Sequence, residues 1–310
     1  MSYSPVVMFV YNRANHLEQT FKALSECVGA KETELFIFAD GAKNEAGAAK
    51  VEECRKAVRA AAASDAFKSI TVTESPENRG LAASVIAGVT AVTEKYGKAI
   101  VVEDDCVASP YFLTFMNECL DTFAEDRRIG AVAGYAPAIE FPAEYKDDIF
   151  TSNRSCSWGW ATWADRWKDV DWELKDFRDF YRHPSLIRKL NSNGSDRFLR
   201  LYRQTKGNGS SWSVRFGAHL VKKGMLTVYP RYSYVSNIGC DASGVHSKAE
   251  DAESMAVDLS KAIAQPRIEY TPLNGKIQRI MKKHYSSGAV SELKRFAATC
   301  ALVIKGNIMK

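Results

Sequence analysis

Val101-Val102-Glu103-Asp104-Asp105 is an apolar strand pattern that ends in three consecutive carboxylates. We call Glu103, Asp104 and Asp105 the acid motif. Like charges at a strand end repel one another, and a bound cation relieves that repulsion. Because the ligands are all oxygens, Mg²⁺ or Mn²⁺ suits them better than zinc. The motif therefore predicts a divalent metal site beside a buried strand, and the alternative is a solvated acidic turn.

Apolar runs alternate with helical patterns on either side of the acid motif. Strands are predicted at 6–11, 35–39, 69–73 and 99–102, and helices at 15–27, 51–63 and 81–96. Continuously apolar strands that alternate with helices are typical of a parallel sheet covered on both faces. The fold class predicted is therefore α/β, and ligands in such folds bind beyond the carboxyl ends of the strands.

Polar residues follow each predicted strand, at the edge where a ligand would lie. They are Asn12-Arg13, Asp40-Gly41, Asn78-Arg79-Gly80 and the acid motif. No GxGxxG and no GxxxxGK[ST] pattern follows a strand, so neither a dinucleotide fold nor a P-loop is indicated. Each polar segment taken alone could be a simple turn, but their shared position predicts one composite site.

Composition limits the classes of protein to which the chain can belong. It has 310 residues, of which 46% are hydrophobic and 25% charged, which is ordinary for a globular protein. No apolar run is long enough to span a membrane, and no signal-peptide pattern is present. Seven scattered cysteines form no CxxC pair. We therefore expect reduced thiols, a cytoplasmic location and no zinc site.

The strand-end residues together resemble those of the GT-A glycosyltransferases over about residues 4–250. The Glu-Asp-Asp form is most similar to the Golgi N-acetylglucosaminyltransferase branch and to bacterial polysaccharide glycosyltransferases. The resemblance implies a Rossmann-like fold with a mostly parallel central sheet and an irregular acceptor-side half. It implies that Asp105 touches the metal and Asp104 the ribose, and that the nucleotide is held by Tyr11, Asn12, Arg13, Asp40, Arg79, Gly80 and Glu103.

Tryptophans are concentrated in one segment that includes Ser157-Trp158-Gly159-Trp160. Indole faces stack on sugar rings, and glycine permits close backbone approach, so Trp158, Gly159 and Trp160 are candidate contacts for the sugar or acceptor. Trp212 is a further candidate. The alternative is a tryptophan-rich core beneath a loop.

The catalytic base of an inverting transfer is not evident in the sequence. Relatives in the resembling family carry an aspartate beside the tryptophan at position 212, and it removes the proton of the acceptor hydroxyl. Here the neighbours are Ser210, Ser211 and Ser213. Asp196 and Asp165 are the substitutes that lie near in the sequence.

The glycine-containing loop from Asn237 to His246 resembles the closing loop of the family. A neutral imidazole can join carboxylates around Mn²⁺, so His246 is a candidate second metal ligand. The alternative is a solvated loop histidine.

We expect one domain of two halves, 1–130 for the nucleotide sugar and 131–272 for the acceptor and catalysis, followed by 273–310 as a basic amphipathic tail. After Gly275 there are eight basic residues and one acidic residue, so the tail carries about +7 and the remainder about −2. The body is thus no nucleic-acid surface. The tail is either a solvated end or a contact to an anionic membrane surface, with the protein peripheral on the inner face.

The resemblance implies a metal-dependent enzyme that moves a sugar, GlcNAc or a related hexose, from a UDP-sugar donor to a saccharide or lipid-linked glycan acceptor. Inversion at the sugar and a role in bacterial surface polysaccharide synthesis are implied on the same ground. Two alternatives remain: a non-catalytic nucleotide-sugar or glycan-binding protein, and a sugar nucleotidyltransferase. The second would carry a glycine-rich basic loop after the first strand, where Tyr11-Asn12-Arg13-Ala14 stands instead.

Overall fold

The computed structural model describes residues 3–239 and 256–308. Strands and helices alternate in the first third of the chain, as the sequence predicts. These elements are β1 (Val6–Val10), α1 (Ala14–Ser25), β2 (Glu34–Ala39), α2 (Glu45–Ala62), β3 (Ser69–Glu74), α3 (Leu81–Tyr96) and β4 (Lys98–Glu103).

The remaining chain mixes short strands and short helices. Its strands are β5 (Cys106–Ala108), β6 (Ile129–Ala133), β7 (Ile149–Ser152), β8 (Trp160–Trp163), β9 (Leu226–Pro230) and β10 (Val235–Asn237). Its helices are α4 (Phe112–Thr122), α5 (Ala164–Trp167), α6 (Asp179–Arg182), α7 (Pro184–Leu190), α8 (Arg197–Gln204), α9 (Trp212–Lys223), α10 (Gly275–His284) and α11 (Ala289–Ile308).

Local chemistry accounts for several helix ends. Asn44 precedes α2, and its side chain accepts the N–H of Gly47 at 3.1 Å, which satisfies a donor that the first turn leaves open. Gly97 ends α3 with a φ of 77°, a left-handed conformation that glycine adopts at little cost. The chain therefore leaves α3 directly into β4, the strand that carries the acid motif.

One eight-stranded sheet has the order β3-β2-β1-β4-β8-β6-β9-β7. The first four strands in this order are parallel, with Val6 of β1 opposite Leu35 of β2 and Ile100 of β4. Their carboxyl ends therefore meet at one edge of the sheet. We call it the carboxyl edge. The mostly parallel central sheet and the mixed α/β architecture confirm the fold class expected from the sequence.

β8 runs antiparallel to β4, with Trp160 opposite Val101 and Trp163 opposite Lys98. It therefore starts near the acid motif and ends at the opposite edge of the sheet, where the parallel strands begin. We call this the far edge. β5 continues the chain beyond the motif and pairs antiparallel with β10, with Asn237 opposite Cys106. These two non-local pairings bring the second half of the chain to the carboxyl edge.

Apolar side chains fill both sides of the sheet. Met8 of β1 lies in a core cluster with residues of α1, α2 and α4, and Phe9 lies in a second cluster with α3 and α9. Successive residues of a strand face opposite sides, so a strand buried on both faces must be apolar throughout. β1 satisfies this requirement, since all five of its residues are buried.

The expected boundary at residue 130 falls inside β6, which belongs to the sheet that also contains β1 and β4, so the two expected halves share one sheet. The expected tail begins with α10, whose Ile277 and Met281 are fully buried in a core cluster with Phe150 and Tyr229. Part of 273–310 is therefore built into the body. None of the helices in the described residues is long and apolar enough to cross a bilayer.

Candidate active site

The acid motif lies at the carboxyl edge, where β4 ends and β5 begins. Its backbone is held by α1, because Thr20 donates its hydroxyl to the carbonyl of Asp104 at 2.8 Å. The side chains of Asp104 and Asp105 are almost enclosed, whereas Glu103 is partly exposed. The two aspartates therefore sit in a poorly hydrated position, where their charges need a partner.

Arg13 supplies that partner from the loop after β1. Its Nη2 donates to Asp104 Oδ1 and, at 2.9 Å, to Asp105 Oδ2, so one guanidinium bridges both carboxylates. Burial alone would lower the pKa of Arg13, but the charges of Asp104 and Asp105 and these hydrogen bonds raise it above its ordinary value. The site thus contains a permanent cation that faces two carboxylates.

One guanidinium does not neutralise the whole motif. Burial, and then the charges of Asp105 and Asp104, raises the pKa of Glu103 to about 8. Burial raises the pKa of Asp104 to about 6, although Arg13 acts against this shift. The motif therefore retains protons near neutral pH, and additional positive charge at this point would release them.

The chain returns to Asp105 through β10. Asn237 donates its side-chain amide to Asp105 Oδ1 at 2.9 Å, and the N–H of Ile238 donates to the carbonyl of Asp105 at 2.9 Å. Gly239 lies so close that an added Cβ would overlap Asp105 Oδ2 and stand 2.8 Å from Arg13 Nη1. The predicted ligand His246 follows in the same loop and lies outside the described residues.

Asp40, at the end of β2, organises the loop after β3. Its carboxylate accepts the N–H groups of Gly41, Arg79 and Gly80 at 2.8–2.9 Å and the side-chain amide of Asn78 at 3.1 Å. These four donors hold Asp40 in a structural role, which agrees with the alternative of a turn at Asp40-Gly41. The guanidinium of Arg79 stays at an exposed position beside them.

The loop after β1 places Tyr11 and Asn12 at the same edge, both partly exposed. The hydroxyl of Tyr11 accepts the N–H of Lys43 at 3.3 Å, which ties this loop to the segment after β2. His16 on α1 lies close enough to act electrostatically on Asp104. The fold thus brings Tyr11, Asn12, Arg13, Asp40, Arg79 and Gly80 to the edge that also carries Glu103, Asp104 and Asp105.

The tryptophan candidates separate into two groups. Trp158 is partly exposed and packs edge-on against Tyr135 at 4.7 Å between ring centroids, and Gly159 follows it just before β8. An added Cβ at Gly159 would lie 2.6 Å from Val235 of β10, so the glycine permits this approach to the strands around the acid motif. Trp158 and Gly159 therefore lie beside β10, and their contact with a sugar or acceptor stays a prediction.

Trp160 and Trp212 are core residues, which corrects the expectation that they contact sugar or acceptor. They are only 1% and 3% exposed and stack on each other at 4.6 Å, on the side of the sheet covered by α3 and α9. Neither indole can reach a bound saccharide. The alternative explanation, a tryptophan-rich core, holds for both.

Neither expected base is suited to that role. Asp165 follows β8 at the far edge of the sheet, where its carboxylate pairs with Arg127 and Arg166. At Asp196, burial alone would raise the pKa, but the charges of Arg154, Arg200 and Arg197 outweigh it and lower the pKa. Asp165 is in the wrong place, and Asp196 is a weakened proton acceptor.

The donor set of the acid motif suits Mn²⁺ or Mg²⁺, because it consists of carboxylate oxygens. Within residues 3–239 and 256–308 no group of three or more His, Cys, Asp or Glu side chains could hold a metal ion. Both oxygens of Asp105 already accept hydrogen bonds, Oδ2 from Arg13 and Oδ1 from Asn237 and the thiol of Cys106. The described residues therefore fit a partial site, in which a ligand diphosphate, water or further residues would complete the coordination.

The sequence placed Asn237 and Gly239 in the closing loop but did not predict their contact with Asp105. Asn237 and Gly239 stand close together in the sequence, but only the pairing of β5 with β10 shows that both lie at Asp105. His16, which lies near Asp104, was not predicted as a site residue. His16 could have been found, because it lies three residues after Arg13 and thus one helical turn into α1.

A sequence model of glycosyl transferase family 2 matches residues 6–189, which is more than half of the chain and includes β1 to β4 with the acid motif. The chain belongs to this family and is a glycosyltransferase of the GT-A type. No curated protein sequence matches the chain.

Solved structures with a similar fold include three glycosyltransferases. TarS from S. aureus has 11% identity and a TM-score of 0.40, and the match covers 75% of this chain and 36% of TarS. The mannosyltransferase PcManGT from Pyrobaculum calidifontis, solved with GDP-Man and Mn²⁺, has 12% identity and a TM-score of 0.41, with coverage of 71% and 70%. An active-site mutant of LgtC has 12% identity and a TM-score of 0.38, with coverage of 81% and 82%.

Proposed function

We propose that this glycosyltransferase uses a UDP-sugar donor and a divalent metal ion, and adds the sugar to a hydroxyl of a growing bacterial surface polysaccharide. The observation that carries the proposal is the bridge from Arg13 to Asp104 and Asp105 at the carboxyl edge of a parallel sheet. A guanidinium can bind a diphosphate while neighbouring carboxylates bind a metal ion, so Arg13, Asp104 and Asp105 together suit a metal-bound diphosphate. GlcNAc or a related hexose, transferred with inversion, is the proposed sugar on the ground of family resemblance.

The diphosphate end of the site uses charge that is already in position. Asp105 would hold the ion from one side, while Asn237 and Gly239 fix its carboxylate. When Mn²⁺ or Mg²⁺ is bound, it would neutralise the negative charge that develops on the leaving UDP. Arg13 can turn part of its guanidinium from the carboxylates to phosphate oxygens, since a guanidinium has five N–H donors.

The nucleoside end uses the loops after β1 and β3. Tyr11 and Asn12 would contact the base, and Asp104 and Glu103 the ribose side. Asp40 acts by positioning, because its four hydrogen bonds shape the segment that presents Arg79 and Gly80. Arg79 would then support the nucleotide with an exposed, flexible cation.

The acceptor is a saccharide or a lipid-linked glycan in this proposal. Trp158 would offer an indole face to a sugar ring, and Gly159 keeps the backbone close to the acid motif. The described cysteines are all free thiols, which supports action in a reducing cytoplasm.

The test is metal-dependent release of UDP from a panel of UDP-sugars, with GDP-sugars as comparison. We expect one UDP-sugar to be turned over slowly in water with Mn²⁺ and much faster with an oligosaccharide acceptor. Asp105→Asn should abolish release. Asp165→Asn is the matched control, because the same substitution lies at the far edge of the sheet. A loss in both variants, or release that needs no metal, would contradict the proposal.

A non-catalytic nucleotide-sugar-binding protein is the second candidate, favoured by one observation. α9 begins with Ser211 before Trp212, and the hydroxyls of Ser211 and Ser213 lie 3.2 Å apart where the family carries a base. Serine is too weak an acid–base group to replace a carboxylate near neutral pH. Binding of a UDP-sugar without hydrolysis or transfer to any acceptor tested would favour this candidate.

A further inference from the structure

The C-terminal helix α11 is fixed to the body by one of its two faces. Thr299 on this face is buried, and Leu302 and Val303 pack against the apolar cluster formed around α6 to α9. Ser195 donates its hydroxyl to Glu292 at 2.8 Å, which anchors the start of the helix. α11 is therefore an ordered part of the molecule, and its outward face is held in a defined position.

The outward face of α11 is apolar. Five large side chains are 61–75% exposed: Val290, Leu293, Phe296, Ile304 and Ile308. At 100° per residue they fall on one side of the helix, together with the small residues Ala297 and Ala301. Single exposed apolar residues are common on proteins, but a continuous stripe over a whole helix usually marks a contact surface.

The exposed charged side chains of α11 have one sign. Lys294 and Lys305 flank the stripe on α11, and Lys282 and Lys283 are exposed at the end of α10. The acidic Glu292 is turned inward, to Ser195 and, at 3.7 Å, to Arg295. An apolar stripe with a basic margin is complementary to a membrane with anionic headgroups.

We propose that α11 docks the protein onto an anionic membrane surface, with the apolar stripe inserted at the level of the headgroups and the lysines at their phosphates. α10 takes no part through its apolar residues, since Ile277 and Met281 are buried in the body. The proposal rests on the face of α11 and is independent of the acid motif and of the donor.

A second copy of the chain is the other occupant to consider. In a two-fold dimer the same surface patch contacts itself, so the basic margins of both copies would meet. Like charges opposed across an interface cost free energy, whereas anionic lipid removes that cost. The charge of the margin therefore favours lipid over a second copy.

The experiment is cosedimentation of the full chain with vesicles of phosphatidylcholine, with and without phosphatidylglycerol. We expect binding only to the anionic vesicles, and binding that weakens as salt rises. Leu293→Ser combined with Phe296→Ser should lower the partition coefficient at least about tenfold. Lys294→Gln and Lys305→Gln should each lower it about fivefold.

Val28→Ser is the matched control, because Val28 is 52% exposed and lies between α1 and β2, away from α11. It should leave vesicle binding unchanged. These side chains are exposed, so a far-ultraviolet spectrum and a melting curve like those of the wild type will show that each variant is folded. Wild type that stays in solution with anionic vesicles, or a serine variant that binds as well as wild type, would overturn the proposal. So would a dimer, seen by light scattering, that the serine variant loses.

Discussion

Replacing Glu103 by glutamine tests whether the negative charge of the acid motif destabilises the folded protein. Burial, and then the charges of Asp105 and Asp104, raises the pKa of Glu103 to about 8, whereas an unfolded chain has a glutamate pKa of about 4.3. Between these values the folded protein keeps a proton that the unfolded chain releases. The free energy of unfolding therefore falls as pH rises through this window. Above the upper pKa, the folded protein bears the full destabilisation that comes from ionising Glu103.

The size of the effect follows from the shift. Each pKa unit corresponds to about 1.4 kcal/mol, so one fully enclosed group would cost about 4 kcal/mol near pH 7. Glu103 is partly exposed, and solvent screening reduces this to about 2 kcal/mol. Near pH 5 the same reasoning leaves less than about 1 kcal/mol. Because glutamine carries no charge, Glu103→Gln should be more stable than wild type by these amounts.

Urea unfolding of the metal-free protein, with a chelator present, measures the difference near both pH values. The control is Glu94→Gln, since Glu94 is exposed near the end of α3, which leads into the start of β4, whereas the acid motif lies at the other end of that strand. It should show no gain that grows with pH. Equal or lower stability of Glu103→Gln than of wild type near pH 7 would refute the view that the acid motif strains the fold.

Three further outcomes follow from the site and the core. Gly239→Ala should weaken UDP binding in the presence of Mn²⁺ at least about tenfold, measured by calorimetry, because the added Cβ would overlap Oδ2 of Asp105. The control Gly275→Ala, whose added Cβ meets nothing within 4 Å, should leave UDP binding unchanged. Asp40→Ala should lower the free energy of unfolding by about 3 kcal/mol, because three backbone N–H groups lose their acceptor; an unchanged urea midpoint would contradict this. Burial lowers the pKa of His219 to about 4, so wild type should lose roughly 3 kcal/mol as pH falls from about 6.5 to about 4. His219→Gln should remove that loss, and parallel pH profiles would contradict the reasoning.

The first third of the fold could be predicted from the sequence because its signals are local. β1 and β4 are continuous apolar runs, and a polar segment ends each one, so strand type and carboxyl-end residues were evident together. The antiparallel strand β8 could not be placed, because it is only the four residues Trp160–Trp163 and nothing in them shows that they pair antiparallel with β4. Its direction is what moves Asp165 to the far edge.

The site was only partly predictable for a related reason. Arg13, Asp104 and Asp105 follow buried strands, so the parallel sheet alone brings them together. The environment of a tryptophan is a tertiary property: Trp158 and Trp160 are neighbours in sequence, yet one is partly exposed and the other is enclosed by Trp212. No periodicity in the sequence separates them.

Titration of UDP into the protein, with and without Mn²⁺, tests the central claim most directly when wild type is compared with Asp105→Asn. The arrangement of Asp105 with Arg13 and Asn237 predicts that Mn²⁺ tightens UDP binding to wild type at least about tenfold, or ~1.4 kcal/mol, and has no such effect on the variant. Equal UDP affinity in wild type with and without Mn²⁺, or a full Mn²⁺ effect in Asp105→Asn, would contradict it.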